Sequence, residues 1–313
     1  MTTAAPAPTL LVLAAGLARR YGGLKPLAPV GPHGEAVIDL VASDARAAGF
    51  GRIALVLHPE TGPAVRYHVE RCWPDTVPVS FAVQRVPLGT THAVLAAREA
   101  IGDDVPFAVA NADDVYGEDA LSVLARHLAT ERGEHALVGF DLAATVVTDA
   151  PVTRGVCAVG DDGLLVSIAE RRQVSRRHGA GSGAPDVRFR ADDGALPADL
   201  DAGVPVSVNL WGFQPDIWPV FTAAMDASGL DEEEVLAAAA AGADPPKAEV
   251  LLPEVVGEMV AERRGLPVRV LRTGGACIGV THSDDLPVVR DLLARQVATG
   301  VRPEWLWGPA WGT

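Results

Sequence analysis

Lysine is nearly missing from this 313-residue sequence: Lys25 and Lys247 stand against 24 arginines. Positive charge as a whole is short, with 26 Lys+Arg against 40 Asp+Glu and a formal charge of −14. So acidic a chain repels polyanions, which excludes nucleic acid or an anionic membrane surface as its main partner. The three cysteines, Cys72, Cys157 and Cys277, are an odd number, lie far apart and form no CxxC pair. Neither a disulfide framework nor a zinc site is expected. Long apolar runs are missing too. Leu10–Ala15 is too short for a signal-peptide core or a membrane span, and the first eight residues hold no Lys or Arg. A soluble, cytoplasmic protein is expected. The arginine excess, with abundant Ala and Gly, reads as the codon bias of a GC-rich genome, which makes lysine the better marker of function.

With 49% hydrophobic and 21% charged residues the chain can bury a sizeable core, and disorder is excluded. Length alone suggests two domains. However, the first 170 or so residues hold no Pro/Ser-rich hinge and strand patterns recur to the end, so a single α/β domain over residues 1–313 is expected. Short apolar runs at Leu10–Ala14, Ile53–Leu57, Val79–Val83, Phe107–Ala110 and Ala136–Phe140 alternate with helical patterns, the signature of βαβ units and a parallel sheet. The second half is less regular. Gly155–Val159 and Leu164–Ile168, joined by Asp161-Asp162-Gly163, read as a hairpin. Arg171–Gly203 reads as a long surface loop, Val204–Phe213 as one strand, and Leu251–Arg263 as a helix.

Ligands of open parallel sheets bind outside the carboxyl ends of the strands, which directs attention to Ala14–Lys25. Ala14, Ala15 and Gly16 let the backbone close on a phosphate, and Arg20 and Lys25 can neutralise charge. Two familiar phosphate loops are excluded by spacing. A dinucleotide fingerprint needs Gly where Ala18 stands, and a Walker A loop needs Ser or Thr after the lysine, where Pro26 follows Lys25. Read alone, the loop is equally consistent with an ordinary strand-to-helix connection.

Leu13-Ala14-Ala15-Gly16 through Lys25 resembles the signature of the sugar-1-phosphate nucleotidyltransferases, LAAGxGxR followed by Lys, and within them the subgroup with Gly-Gly-Leu-Lys. The resemblance continues through Gly31-Pro32-His33-Gly34-Glu35, Pro87–Val94, Asn111–Gly117, Arg154–Cys157, Ala169-Glu170-Arg171, Val208–Phe213 and Gly279-Val280-Thr281, in order along nearly the whole chain. It implies a Rossmann-like α/β fold, a mixed and mostly parallel sheet flanked by helices, with a nucleotide-binding half over about 9–141 and an acceptor-binding half over about 142–300. It also implies an enzyme that joins a nucleoside triphosphate to a sugar 1-phosphate, giving a nucleotide sugar and pyrophosphate.

By the same resemblance Asp113 holds Mg²⁺, and Arg20, Lys25 and Asp113 are the catalytic residues. Asp114 is left to hydrogen-bond the loop or cap the next helix. A second metal carboxylate is expected where Thr281 stands, which leaves a site with one carboxylate or one completed by water. Asp284 and Asp285 read as caps of the last helix. Ala14, Ala15, Gly16, Gln84, Gly89 and Thr90 are expected on the nucleotide, with the Gln84 amide facing a uracil, thymine or cytosine edge. Gly155, Glu170, Arg171 and Asn209 are expected on the acceptor. His92 reads as structural and Lys247 as a surface residue. Trp305, Trp307 and Trp311 are expected to anchor the tail on the body or at a subunit interface, which leaves a homo-oligomer open.

An acceptor phosphate is mostly dianionic at neutral pH and needs no general base, in keeping with the absence of a recognisable Ser/His/Asp or Cys/His arrangement. Positioning and charge cancellation suffice. Two other readings stay open. Ala18 and Arg19 depart from the family loop, so a non-catalytic binder of nucleotide or nucleotide sugar is one. A metal-dependent glycosyltransferase using Asp113-Asp114 is the other, although Arg20 and Lys25 count against it.

Overall fold

The first apolar run of the chain is buried on both sides: Leu10, Val12 and Ala14 enter one hydrophobic cluster, Leu11 and Ala15 the other. A strand of that kind needs a helical layer on each face of its sheet. The computed structural model describes residues 7–16, 24–148, 150–178, 187–244, 246–280 and 285–307. In chain order the first half forms β1 (Thr9–Ala14), α1 (Val37–Ala47), β2 (Arg52–Leu57), α2 (Gly62–Cys72), β3 (Val79–Val83), α3 (Thr90–Ala96), α4 (Arg98–Ile101), β4 (Phe107–Asn111), β5 (Asp114–Val115), α5 (Glu118–Thr130) and β6 (His135–Asp141). There follow β7 (Val152–Val159), β8 (Leu165–His178), β9 (Val187–Ala191), β10 (Asp199–Leu200), β11 (Pro205–Ser207) and β12 (Trp211–Phe213). The chain closes with α6 (Trp218–Ser228), α7 (Glu232–Ala240), α8 (Leu252–Ala261), β13 (Val268–Arg272), β14 (Ile278–Gly279) and α9 (Leu286–Ala298).

β3, β2, β1 and β4 are neighbours in parallel, β12 lies antiparallel between β4 and β6, and β13 pairs with β6 in parallel. This part of the sheet, from β3 to β13, is mixed and mostly parallel, as the resemblance implies, and β7 to β11 extend it in antiparallel pairs. Leu40 of α1 and Leu124 of α5 enter one cluster; Val94 of α3, Phe221 of α6 and Val256 of α8 enter the other. The two halves share this sheet, because β11 and β12 are inserted beside β6.

The second half departs from its sequence reading in two places. Arg171–Gly203 is not one long loop: β8 runs on to His178, and β9 returns antiparallel to it with β10 alongside. Val174, Phe189 and Ala191 are buried in this extension, while its outer face carries Arg177–Asp192 and Arg190–Asp192 pairs. Those charges hide the apolar alternation. Val204–Phe213 is one strand interrupted at Asn209, whose φ of 64° takes it out of the ladder. Before the break β11 pairs with β7 and β6; after it β12 pairs with β6 and β4. The tail is anchored on the body. Trp305 stacks on His33 at 3.9 Å between ring centroids, Trp307 tilts against Trp73, and Arg302 is buried in a two-pronged pair with Asp44. Trp311 lies outside the described residues.

Candidate active site

Three cavities, linked by shared lining residues, open at the carboxyl ends of β1 and β4. The first, about 210 Å³, is bounded by Ala14, Gly16, Lys25 and Asp113. The second, about 780 Å³, shares Gly16 and Asp113 with it and adds Ala15, Gln84, Gly89, Thr90, Asn111 and Lys247. The third, about 630 Å³, shares Thr90 and Asn111 with the second and reaches Asp114, Arg154, Gly155, Glu170, Asn209, Glu254 and Glu258. A further cavity of about 840 Å³ beside the β7–β8 turn and the end of α8 holds none of the residues expected from the sequence.

Lys25 and Asp113 meet where the first two cavities join. Lys25 opens a 3₁₀ turn whose next residue, Pro26, is buried, which fixes the base of the lysine stem. Asp113 follows β4 on the short link to β5, and its carbonyl accepts from the Val280 amide at 3.0 Å. Lys25 Nζ lies 3.2 Å from Asp113 Oδ2, the two side chains being 18% and 36% exposed. Both therefore face the cleft while remaining reachable from solvent.

Asp114 accepts from Asn111 Nδ2 at 2.8 Å, one of the two roles the sequence left open. Withdrawal from water, and then the charge of Asp113, push its carboxyl up to about 6. Tyr116 OH accepts from the Asn111 amide and donates to the Val208 carbonyl, tying the end of β4 to the interrupted strand. Among the described residues no three His, Cys, Asp or Glu side chains cluster as a ready metal cage. The donor chemistry nevertheless suits Mg²⁺, which takes one or two carboxylates and completes its shell with phosphate oxygens and water. Thr281 and Asp284 lie outside the described residues, and Asp285 sits at the N-cap of α9.

Gln84 follows β3, its amide held by the Leu57 carbonyl. Its Nε2 donates to the Gly89 carbonyl at 3.0 Å and to His92 Nδ1 at 3.2 Å, and His92 Nε2 donates to Glu232 at 3.1 Å. His92 thus has the structural role expected of it, orienting the Gln84 amide. Gly89 has φ 102°, and a Cβ there would lie 2.4 Å from the Val250 carbonyl oxygen. Only glycine permits that backbone approach, which carries Thr90 into the cleft. Gly16 has nothing within 4 Å of the place of a Cβ, so its bareness leaves room in the cleft.

Of the residues expected on an acceptor, Gly155, Glu170 and Asn209 border the third cavity together. Asn209 Nδ2 donates to Asn111 Oδ1 at 2.8 Å, and its own Oδ1 accepts from Trp211 Nε1. Arg171 does not join them there. Adjacent residues of a strand face opposite ways, so with Glu170 at the cavity, Arg171 turns beneath the sheet. There its guanidinium is buried, bonded to both oxygens of Asp193 and to the Ala195 and Pro197 carbonyls. It holds the Asp193 carboxyl well below the usual carboxylate range.

Arg20, Ala18 and Arg19 lie outside the described residues. Two basic side chains at the cleft were not expected there: Arg154, whose nitrogens bond Thr145 and the Thr153 carbonyl, and Lys247. The rarity of lysine was the signal for the second. Residues 10–173 match the family described as MobA-like NTP transferase domain. No curated protein matches the chain. No helix among the described residues is long and apolar enough to cross a membrane. The family match covers more than half of the sequence, β1 to β8, and takes in the Lys25–Asp113 pair: the chain belongs to the MobA-like NTP transferase domain family and is a nucleotidyltransferase.

Proposed function

We propose that this nucleotidyltransferase joins a nucleoside triphosphate to a sugar 1-phosphate, or a similar phosphorylated small molecule, and releases pyrophosphate. The observation that carries the proposal is the Lys25–Asp113 pair at 3.2 Å, at the junction of two linked cavities and one step from a third. The small cavity, with the adjoining Gly16 and Asp113 side of the second, suits phosphates; the rest of the second suits a nucleoside over Gln84 and Gly89, and the third an acceptor between Gly155, Glu170 and Asn209. Carboxylates and amides there can accept from and donate to the hydroxyls of a sugar.

The acceptor phosphate is a dianion at neutral pH, its second pKa being about 6, and attacks the α-phosphorus without a general base. The new P–O bond forms as the bond to the departing pyrophosphate breaks. Lys25 and, by its place in the motif, Arg20 screen the repulsion between the two anions; Asn209 and Glu170 orient the acceptor. Asp113 would hold Mg²⁺, which when bound supplies further neutralisation of the phosphates. With Arg171 turned away, the acceptor phosphate lies toward Lys25 rather than toward β8.

The test is pyrophosphate release by the purified protein with Mg²⁺, across ATP, CTP, GTP, UTP and dTTP and a panel of sugar 1-phosphates. Release that needs one triphosphate and one acceptor together is the expected result. Release with no acceptor, or transfer of sugar from a finished nucleotide sugar, would overturn it.

A further inference from the structure

Both lysines of the sequence border the same cleft. Lys25 is paired with Asp113, but Lys247 has no hydrogen-bond or ion-pair partner among the described residues, although it lines the second cavity. The other charged residues bordering that cavity, Asp113, Asp244 and Glu249, are acidic. A nucleoside triphosphate entering there meets a repelling wall, with Lys247 as its free cation. In a chain where 24 of 26 basic residues are arginine, a lysine on this wall stands apart from the background composition.

The backbone places this lysine by two attachments. On one side the Val250 main chain bonds Leu88 and Thr91, the residues flanking Gly89 and Thr90. On the other side α7 has no buried residue and is held at its first turn by Glu232 with His92 and Glu233 with Arg85. His92 is the residue that orients Gln84. The segment carrying Lys247 is therefore pinned at both ends to the base-side wall of the cleft, while its middle stays exposed.

We propose that Lys247 is a further binding residue of the triphosphate, contacting the β- and γ-phosphates that leave as pyrophosphate. This rests on the reading of the cleft as a nucleoside triphosphate site. An ammonium is a compact point charge with three donors, suited to bridging oxygens of neighbouring phosphates. The base and ribose offer it no anion, so its contribution depends on how many phosphates the ligand carries.

The experiment is calorimetric titration of the full chain with Mg²⁺ and each of the five triphosphates, the corresponding monophosphates and inorganic pyrophosphate, for wild type, Lys247→Gln and Lys247→Arg. Losing one charge-assisted contact should weaken triphosphate and pyrophosphate binding by about tenfold or more. Monophosphate affinity and melting temperature should stay unchanged, and the Arg variant should recover most of the loss. Equal weakening of monophosphate and triphosphate would make Lys247 a structural support only, and no weakening would make it a surface residue; either result overturns the inference. A wild type that binds neither triphosphate nor pyrophosphate would instead refute the nucleotide reading itself, and this inference with it.

Discussion

Replacing Lys25 by Met keeps most of the apolar stem and removes only the ammonium. Its ion pair with Asp113 is 3.2 Å long between side chains 18% and 36% exposed, and pairs that accessible contribute about 1 kcal/mol or less to folding. The unpaired Asp113 can rehydrate, so the urea midpoint should hardly move. Activity should respond very differently. An ammonium at the junction of the two cavities is preorganised for charge that develops on the phosphates, and losing one such donor costs about 2.7–4 kcal/mol, or 10²–10³ in kcat. The assay is pyrophosphate release at saturating substrates, with urea unfolding of the same preparation. A rate within about threefold of wild type would refute the assignment. A large fall in stability with a proportionate loss of rate would show that the pair serves the fold instead.

Three other outcomes are expected. Arg302→Met strands a buried Asp44 carboxylate and should cost about 3–5 kcal/mol at neutral pH by urea unfolding. Burial already raises the Asp44 pKa and Arg302 holds it down; without the arginine it rises further. The folded variant then takes up the Asp44 proton at a higher pH than folded wild type does, so its deficit should shrink as pH falls through that interval, and a pH-independent deficit would contradict this. Gly89→Ala should lower both stability and nucleotide affinity, because the added Cβ meets the Val250 main chain; an unaltered melting temperature would count against it. Arg171→Met should lower the melting temperature yet leave the acceptor KM within about threefold, since its guanidinium lies away from the third cavity; a KM rise of a hundredfold would restore it to the acceptor.

Most of the first half was legible because β1, β2, β4 and β6 are buried on both faces, leaving unbroken apolar runs such as Leu10–Ala14 and Phe107–Ala110 that no surface pattern interrupts. The β8–β9 extension was illegible for the opposite reason: one face is solvated, and its paired arginines and aspartates resemble a loop. Asn209 shows the limit on the site. The motif marks it as a site residue, but the left-handed backbone that breaks the strand and sends the side chain to Asn111 was not readable. Arg171 parts from Glu170 because a motif records order along the chain, whereas a strand sends neighbours to opposite faces. Lys247 lay in plain view as one of two lysines, but only the pinned Val250 segment brings it to the cleft.

The insertion of β12 between β4 and β6 bears on how the molecule is made. Domains form from the N-terminus as synthesis proceeds, yet this sheet cannot be completed when β6 leaves the ribosome. Until Trp211–Phe213 arrives, the facing edges of β4 and β6 lack their ladder partner, and Asn111 at the tip of β4 lacks the amide of Asn209. The first half of the chain therefore has no finished form of its own. A nascent chain stopped before Phe213 should expose two strand edges to chaperones and to neighbouring copies, and the cleft should assemble in a single late event.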